Sequence, residues 1–358
     1  MYYLYPDYYK KFHCIADKCI DTCCAEWQIV IDDESLEKYR NYKGDYQQTL
    51  CQNIDWEEGV FGHNKRGKCA FLRDDDLCDM YIHMGEDSLC TTCREYPRHT
   101  EEFENLREIT LSLSCPEVAK IVMNTTEPIT FVTKEDETDE CYEEFDYFLF
   151  SELEDVREEM IRIIQDRNVN IRDRIDKILQ ISVSVQRHYD AGSLISWNEF
   201  EESDRVCVKN EYELFERLFL FLFEEFEILY PQWAEVLVES RLFLFGEGKK
   251  VFEQNKEEFE TWWNTSNLTP LDIVLEQLVV YFISVYLLGA VYDENILGKV
   301  DACIGHTIEI YLLLLGRWLK HGELAMDDVI EVVYRYSREI EHSDENLERA
   351  EMLNWFAR

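Results

Sequence analysis

The chain lacks a glycine-rich strand–helix turn of the kind that cradles a dinucleotide. Gly59, Gly62 and Gly67 are too widely spaced, and Gly246-x-Gly248 lies between helical runs. No P-loop, G-x-S-x-G or H-E-x-x-H motif occurs, so the chemistry those motifs support is excluded in its familiar forms. A C-x3-C-x2-C triad is also absent, because Cys19-x3-Cys23 is followed at once by Cys24. Residues Met1 to Lys11 hold tyrosines and charges but no apolar stretch, so no signal peptide is expected. The longest uncharged apolar run, Leu278 to Tyr292, spans 15 residues. That is short of the ~20 that a membrane-crossing helix needs, so a buried helix is expected, with peripheral membrane contact left open.

Positive charge is scarce: 36 Lys and Arg face 75 Asp and Glu, a formal net charge of −39. A field of that sign repels nucleic-acid phosphates and anionic membrane surfaces, so neither is an expected partner. It favours encounter with a protein that presents surface lysines, although most of these charges simply solvate the surface. Apolar residues make up 46% and aromatic residues 14%, which gives a 358-residue chain ample material for packed cores and excludes a disordered one.

What the sequence has in unusual measure is cysteine, and the placement matters more than the count of 13. Cys14, Cys19, Cys23 and Cys24 form a first group, and Cys69, Cys78, Cys90, Cys93 and Cys115 a second. Cys51 stands between them, and only Cys141, Cys207 and Cys303 follow. Without a visible signal peptide the chain is expected in the reducing cytoplasm, where grouped cysteines point to metal or redox chemistry more than to disulfides. Thiolates suit zinc and iron–sulfur clusters, and gaps of two or three residues let two sulfurs approach one metal site from a turn. An all-thiolate zinc site would use two C-x2-C knuckles, and only Cys90-x2-Cys93 is present. The irregular gaps fit a cluster enclosed by several loops better, with structural zinc as the alternative. On extended backbone Cys23 and Cys24 would point opposite ways and would not share one iron.

The expected fold is mainly α, with a small cysteine-rich α+β module of short strands followed by an all-helical body. The boundaries fall at residues 1–124 for the module, 125–140 for an acidic linker and 141–358 for the helical domain. In the module, Glu26 to Asp32 is rich in strand formers, a helix is expected over Ser35–Tyr42, and Cys69 to Tyr81 reads as a hairpin around Arg73-Asp74-Asp75-Asp76. The three aspartates read as a solvated turn, since no calcium-loop spacing follows them. Ile109, Leu111 and Leu113 alternate with polar residues as a strand does. Three- and four-residue apolar steps predict helices over 139–166, 171–189, 211–229, 233–244, 251–263, 271–292, 296–321 and 327–341. The run Phe219 to Phe223, and His188 and His306, read as core rather than as a cofactor site.

Several blocks carry a resemblance. Phe12-His13-Cys14, Cys19-Ile20-Asp21-Thr22-Cys23-Cys24, Trp27, Cys69-Ala70-Phe71-Leu72, Leu89-Cys90-x2-Cys93-x2-Tyr96-Pro97-Arg98 and Leu113-Ser114-Cys115-Pro116-Glu117 resemble the opening of the flagellin lysine-N-methylase family. They are also similar to a broader group of zinc- or iron-chelating proteins with a compact cysteine core. The match covers residues 8–120, and the helical remainder supplies no motif. The resemblance implies transfer of a methyl group from S-adenosylmethionine to a lysine ε-amine of flagellin, with a [4Fe–4S] cluster held by cysteines. Its ligand candidates are Cys14, Cys19, Cys23, Cys24, Cys69, Cys78, Cys93 and Cys115, with Cys90 beside them. No general base carries over, and Arg94, Tyr96 and Arg98 are the candidate contacts to substrate or cofactor. For Tyr96-Pro97 the competing reading is a turn after Cys93. A non-enzymatic metal-binding or redox interaction module is the alternative function.

Overall fold

The computed structural model describes residues 1–25, 27–65, 67–138, 146–193, 200, 210–353 and 355–356. Strand β1 (Tyr2–Pro6) is followed by a small unit spanning residues 29–93. That unit contains α1 (Asp33–Asn41), α2 (Gln47–Asn53), the short pair β2 (Ile54–Asp55) and β3 (Val60–Phe61), α3 (Asp79–Met84) and α4 (Thr91–Glu95). The chain returns through β4 (Arg98–Phe103), β5 (Leu106–Leu111), α5 (Pro116–Met123) and β6 (Phe131–Glu135). The body then comprises α6 (Tyr147–Ile164), α7 (Ile171–Asp190), α8 (Glu211–Glu224), α9 (Pro231–Phe245) and α10 (Lys249–Thr265). It continues with α11 (Leu271–Tyr286), α12 (Ala290–Asp293), α13 (Ile296–His321), α14 (Met326–Glu341) and α15 (Asp344–Glu351). The fold is mainly α with a small strand region, as the sequence predicts.

Local chemistry sets the element boundaries. Asp32 caps α1 by accepting from the Ser35 amide, and Asp146 caps α6 by accepting from Phe148 and Leu149. Pro231 starts α9, where its missing N–H costs nothing, and Gly322 at φ +78° closes α13 in the left-handed region. Three sequence expectations differ in the structure. The Cys69–Tyr81 segment is a tight loop with a single Leu72–Cys78 bridge, and α3 starts at Asp79 where a second strand was expected. Residues 125–140, read as a linker, carry β6, whose Phe131-Val132-Thr133 run is a good strand former and pairs antiparallel with β1. The expected 139–166 helix begins at Tyr147, and its residues 139–145, Cys141 among them, lie outside the described residues, as does Cys207.

Two cores result. Ile29, Ile31, Tyr39, Leu50, Phe61, Phe71 and Met80 fill the small unit, together with Cys69 and Cys90. The second core is far larger and continuous: Tyr8, Phe12, Phe103 and Leu111 from around the sheet join the interior of the helical body. The sheet, ordered β4–β5–β1–β6 with β1 parallel to β5, is thus packed onto the helices and is not a free-standing layer. Helix α13 is the axis of the body, buried along most of its length. At Gly316 an added Cβ would come within 3.0 Å of Ser240, so glycine lets α9 lie close against it. The segments Leu271–Asp293 and Ile296–His321 are each long and apolar enough to cross a membrane by length and composition. Their apolar windows are 72% and 78% buried inside the protein, which is the environment expected of core helices.

Charged pairs are enclosed where sheet meets body. Arg157 on α6 donates from Nη1 to Glu108 of β5 at 2.7 Å, both side chains being buried. Arg174 and Arg167 converge on the fully buried Glu276 of α11 at 2.9 and 2.8 Å. Removing one partner of a buried pair leaves a charge without solvent or counter-ion. Glu108→Ala is therefore expected to lower the unfolding free energy by ~3–5 kcal/mol in urea titrations, while replacing an exposed acid such as Glu257 changes it by less than ~0.5 kcal/mol.

Candidate metal centre and the interface that frames it

The nine cysteines singled out from the sequence fall into two neighbourhoods on either side of the Cys23–Cys24 turn. The first lies in the small core. The Cys69 amide donates to the Cys24 carbonyl at 2.8 Å, so the two strands of chain carrying these thiols run side by side. Leu72 bridges to Cys78, which caps the start of α3, and Cys90 stands at the start of α4 with Cys93 one turn further on. Thr92 donates its hydroxyl to the Val30 carbonyl at 2.9 Å and fixes that helix against the preceding loop. Cys69 and Cys90 are buried, and Cys24, Cys78 and Cys93 are half-buried against the same core.

Burial governs how these thiols ionise. Loss of water pushes Cys69 up to about 12, with Cys24, Cys78 and Cys90 adding to the effect, and raises Cys78 in the same way. Within the C-x2-C pair, hydrogen bonding from Cys93 lowers Cys90 and raises Cys93. Hydrogen bonding with Cys23 draws Cys24 down to about 7. Cys69, Cys78 and Cys93 therefore favour the thiol form, whereas Cys24 and Cys90 are the two poised to ionise, and a bound cation would stabilise thiolate at all five. The Cys23–Cys24 contact corrects the expectation of opposed side chains: the pair lies in a turn, not on extended backbone, and the two thiols interact.

Cys14, Cys19, Cys23 and Cys115 make the second neighbourhood, which faces the helical body. Cys14 is exposed, whereas burial pushes Cys115 up to about 11 and raises Cys19. The Cys19 thiol donates to the Asp21 carbonyl at 3.1 Å. Arg338 of α14, itself buried, holds this neighbourhood together. Its Nη1 pairs with the Asp21 carboxylate at 2.9 Å, Nη2 donates to the Asp21 carbonyl at 2.9 Å, and Nε donates to the Ser114 carbonyl at 3.0 Å. One guanidinium thus joins the loop bearing Cys19 and Cys23 to the residue before Cys115, although 317 positions separate it from Asp21.

Polar residues continue along this seam. Trp27 donates from Nε1 to the Cys23 carbonyl at 2.6 Å and stacks on His342 at 4.6 Å between ring centres. The Tyr96 hydroxyl lies 3.0 Å from Ser114 Oγ. Glu341 accepts at Oε2 from Ser112, at 2.5 Å, and from Tyr281, at 2.9 Å, and burial raises its pKa. Among the described residues Glu341 Oε1 and His342 Nε2 are enclosed and have no hydrogen-bond partner.

Of the residues expected to touch substrate or cofactor, only Tyr96 joins this seam. Arg94 turns outward and pairs with its neighbour Glu95 at 3.0 Å, and Arg98 donates to the Tyr9 hydroxyl at 3.0 Å and covers Phe12. Tyr96-Pro97 is a cis peptide that directs the chain from α4 into β4, and the Pro97 carbonyl accepts from Ser112 at 2.8 Å. His306 and His188 are satisfied core residues, bonded to the Tyr336 hydroxyl at 2.6 Å and the Ser184 carbonyl at 2.8 Å. The aspartate turn is neutralised by Lys68–Asp76 and Arg73–Asp75 pairs. Sequence reasoning missed Arg338, Glu341, His342 and Tyr281. The available signal was charge on the apolar-stepped helix 327–341, and the partners that explain it lie between 60 and 317 positions away.

Among the described residues no three cysteine, histidine or acidic side chains converge closely enough to hold a single metal ion. A four-iron cluster makes a different demand, since each of its irons takes one thiolate and the ligands stay apart. A dry core edged by Cys24, Cys69, Cys78, Cys90 and Cys93 has the donor chemistry for that.

A thiol-rich module clamped by a buried arginine onto a larger helical body defines the class of protein. The comparisons with known proteins say which family. A family model described as the FliB lysine N-methylase C-terminal domain matches residues 157–356, more than half of the chain. The chain belongs to the FliB lysine N-methylase family. It is 30% identical over 128 residues to the lysine-N-methylase of Salmonella typhimurium strain LT2, covering 33% of this chain and 32% of that protein. A similar match to the lysine-N-methylase of Salmonella choleraesuis strain SC-B67 is also 30% identical and covers 32% of it. The flagellar biosynthetic protein FliU of Salmonella muenchen is 30% identical over 128 residues, or 75% of its length. The aligned part thus spans about a third of the two lysine-N-methylases. No solved structure matches the chain.

Two outcomes follow from the seam. Arg338→Met removes three hydrogen bonds that α14 makes to the cysteine loops, so limited proteolysis is expected to cut within residues 13–24 in the variant before it cuts the native protein. His342 is held down to about 3 by burial and by the nearby Arg338 charge. As the pH falls from about 6.5 toward about 3, the unfolded chain takes up a proton that the folded one refuses, and stability is lost across that window. Urea titrations of His342→Asn are expected to show a shallower loss there, by up to ~1.4 kcal/mol per pH unit.

Proposed function

We propose that this protein is a protein-lysine N-methyltransferase that uses S-adenosylmethionine, carries a [4Fe–4S] cluster and acts on flagellin. The observation that carries the reading is the union, in one chain, of the lysine N-methylase C-terminal domain with a cysteine module that its helix α14 holds through Arg338, beside Cys19, Cys23 and Cys115. The names of the similar Salmonella proteins support the reaction and the flagellar target.

The thiols best placed to hold the cluster are four of Cys24, Cys69, Cys78, Cys90 and Cys93, buried or half-buried against the small core. Such a cluster supplies redox capacity, or a rigid cross-link that couples folding to metal. Cys14, Cys19, Cys23 and Cys115 stay with the module as the thiols against which Arg338 seats the body. Methyl transfer requires a neutral lysine amine: the nitrogen lone pair forms a bond to the methyl carbon, the carbon–sulfur bond breaks, and S-adenosylhomocysteine leaves. The amine's proton passes to a carboxylate or to water. The strongly acidic surface speeds encounter with a lysine-rich protein face, an effect that salt should weaken.

The test is incubation of anaerobically purified protein with methyl-labelled S-adenosylmethionine and flagellin, followed by amino-acid analysis. Label in N-methyl-lysine is expected. Absence of label from lysine, with intact cluster and folded protein, would overturn the reading.

A further inference from the structure

The helical body contains a cavity of about 520 Å3 between the ends of α7, α8, α10 and α11, with α13 as its floor. We propose that this cavity is where S-adenosylmethionine binds, an inference that rests on the methyl-donor reading above. Among the described residues, every one that lines it falls within the span matched by the lysine N-methylase domain, and none is a cysteine.

The volume lies inside the ~300–1,000 Å3 typical of small-molecule sites. The lining divides as the ligand does. Ile175, Leu214, Phe215, Leu275 and Ile308 give apolar walls on which an adenine ring can lie. Two cations and two acids share the same hollow, with Lys256 Nζ 5.8 Å from the centre of the Phe215 ring. Lys256 pairs with Glu211 at 2.8 Å, Arg172 pairs with Glu211 at 3.2 Å and with Glu260 at 3.7 Å, and Tyr311 donates to Glu260 at 3.0 Å. Lys256 and Tyr311 are buried and anchor the array in the body, while Arg172, Glu211 and Glu260 reach the solvent at its mouth.

The amino-acid end of S-adenosylmethionine is a zwitterion, and its sulfonium adds one fixed positive charge. A balanced array can exchange partners with a zwitterion without stranding a buried charge: the ligand carboxylate takes Arg172 or Lys256, and its ammonium takes the acid thus released. The remaining sulfonium charge meets Asp176 and Asp272, which also line the cavity. The hollow beside Lys68 and Asp76 in the cysteine module offers mainly charged walls and no aromatic ring. A donor site built from helix faces also accounts for a methylase-family chain without a glycine-rich nucleotide turn.

Calorimetric titration of the full-length protein with S-adenosylmethionine tests the assignment. Leu275→Trp, which fills the apolar half, and Glu260→Gln, which unbalances the array, are each expected to weaken binding by at least about tenfold. Far-UV circular dichroism checks that each variant is folded. An azido-adenosyl analogue crosslinked to the native protein is expected to label residues 171–179, 211–215 or 271–275, a readout that requires no variant. Folded variants that bind as tightly as the native protein, or crosslinks confined to residues 14–115, would overturn the site. If the native protein binds no S-adenosylmethionine at all, the methyl-donor reading fails and this inference falls with it.

Discussion

The buried guanidinium of Arg338 is the contact on which the relation between the two parts of the molecule depends. A single side chain on α14 satisfies a carboxylate and two backbone carbonyls drawn from the two ends of the cysteine module. Those carbonyls lie in loops, where no strand partner is available, and a buried carbonyl without a donor is costly. Arginine suits the task because its planar fork offers several donors in fixed directions and keeps its charge at every relevant pH. With Arg338 in place, Trp27 is set against His342, Tyr96 against Ser114, and Ser112 and Tyr281 against Glu341. The cysteine module and the helical body are therefore parts of one folding unit along this seam, even though residues 29–93 have a core of their own.

This division of labour explains the cysteines. Nine thiols are too many for one site, and the structure gives them two surroundings. Five edge the small core, where burial and neighbouring thiols push Cys69 and Cys78 up while hydrogen bonds from Cys23 and Cys93 draw Cys24 and Cys90 down. Four form the second group, where the fixed positive charge of Arg338 favours the ionised form of Cys19. The same chemistry that makes a buried thiol cluster costly when ionised makes it a strong ligand set for a cationic cluster.

The helical body was legible because apolar steps of three and four residues persist over long stretches. Ile296–His321 starts and ends where the sequence predicts, since Asn295 caps one end and Gly322 stops the other. The sheet was much less legible. β1 pairs with β5 and β6 more than a hundred residues away, and neither partner announces the other in sequence. The β6 strand was hidden because its residues are largely exposed and run into the acidic stretch 135–140, which reads as a linker. The cysteine groups were visible as groups, but their partition was not: it depends on the turn at Cys23–Cys24 and on an arginine at position 338. Arg94 and Arg98 stand beside a motif, yet Arg94 pairs with its neighbour Glu95 and Arg98 reaches Tyr9, 89 positions away, because proximity in sequence says nothing of direction.

The most direct measurement is the metal and sulfide content of protein purified without oxygen, read together with its absorbance spectrum. The account predicts a brown protein with iron and acid-labile sulfide in equal amounts and a band near ~400 nm from thiolate-ligated iron. A colourless protein that holds zinc, or no metal, with its cysteine module fully folded would contradict it.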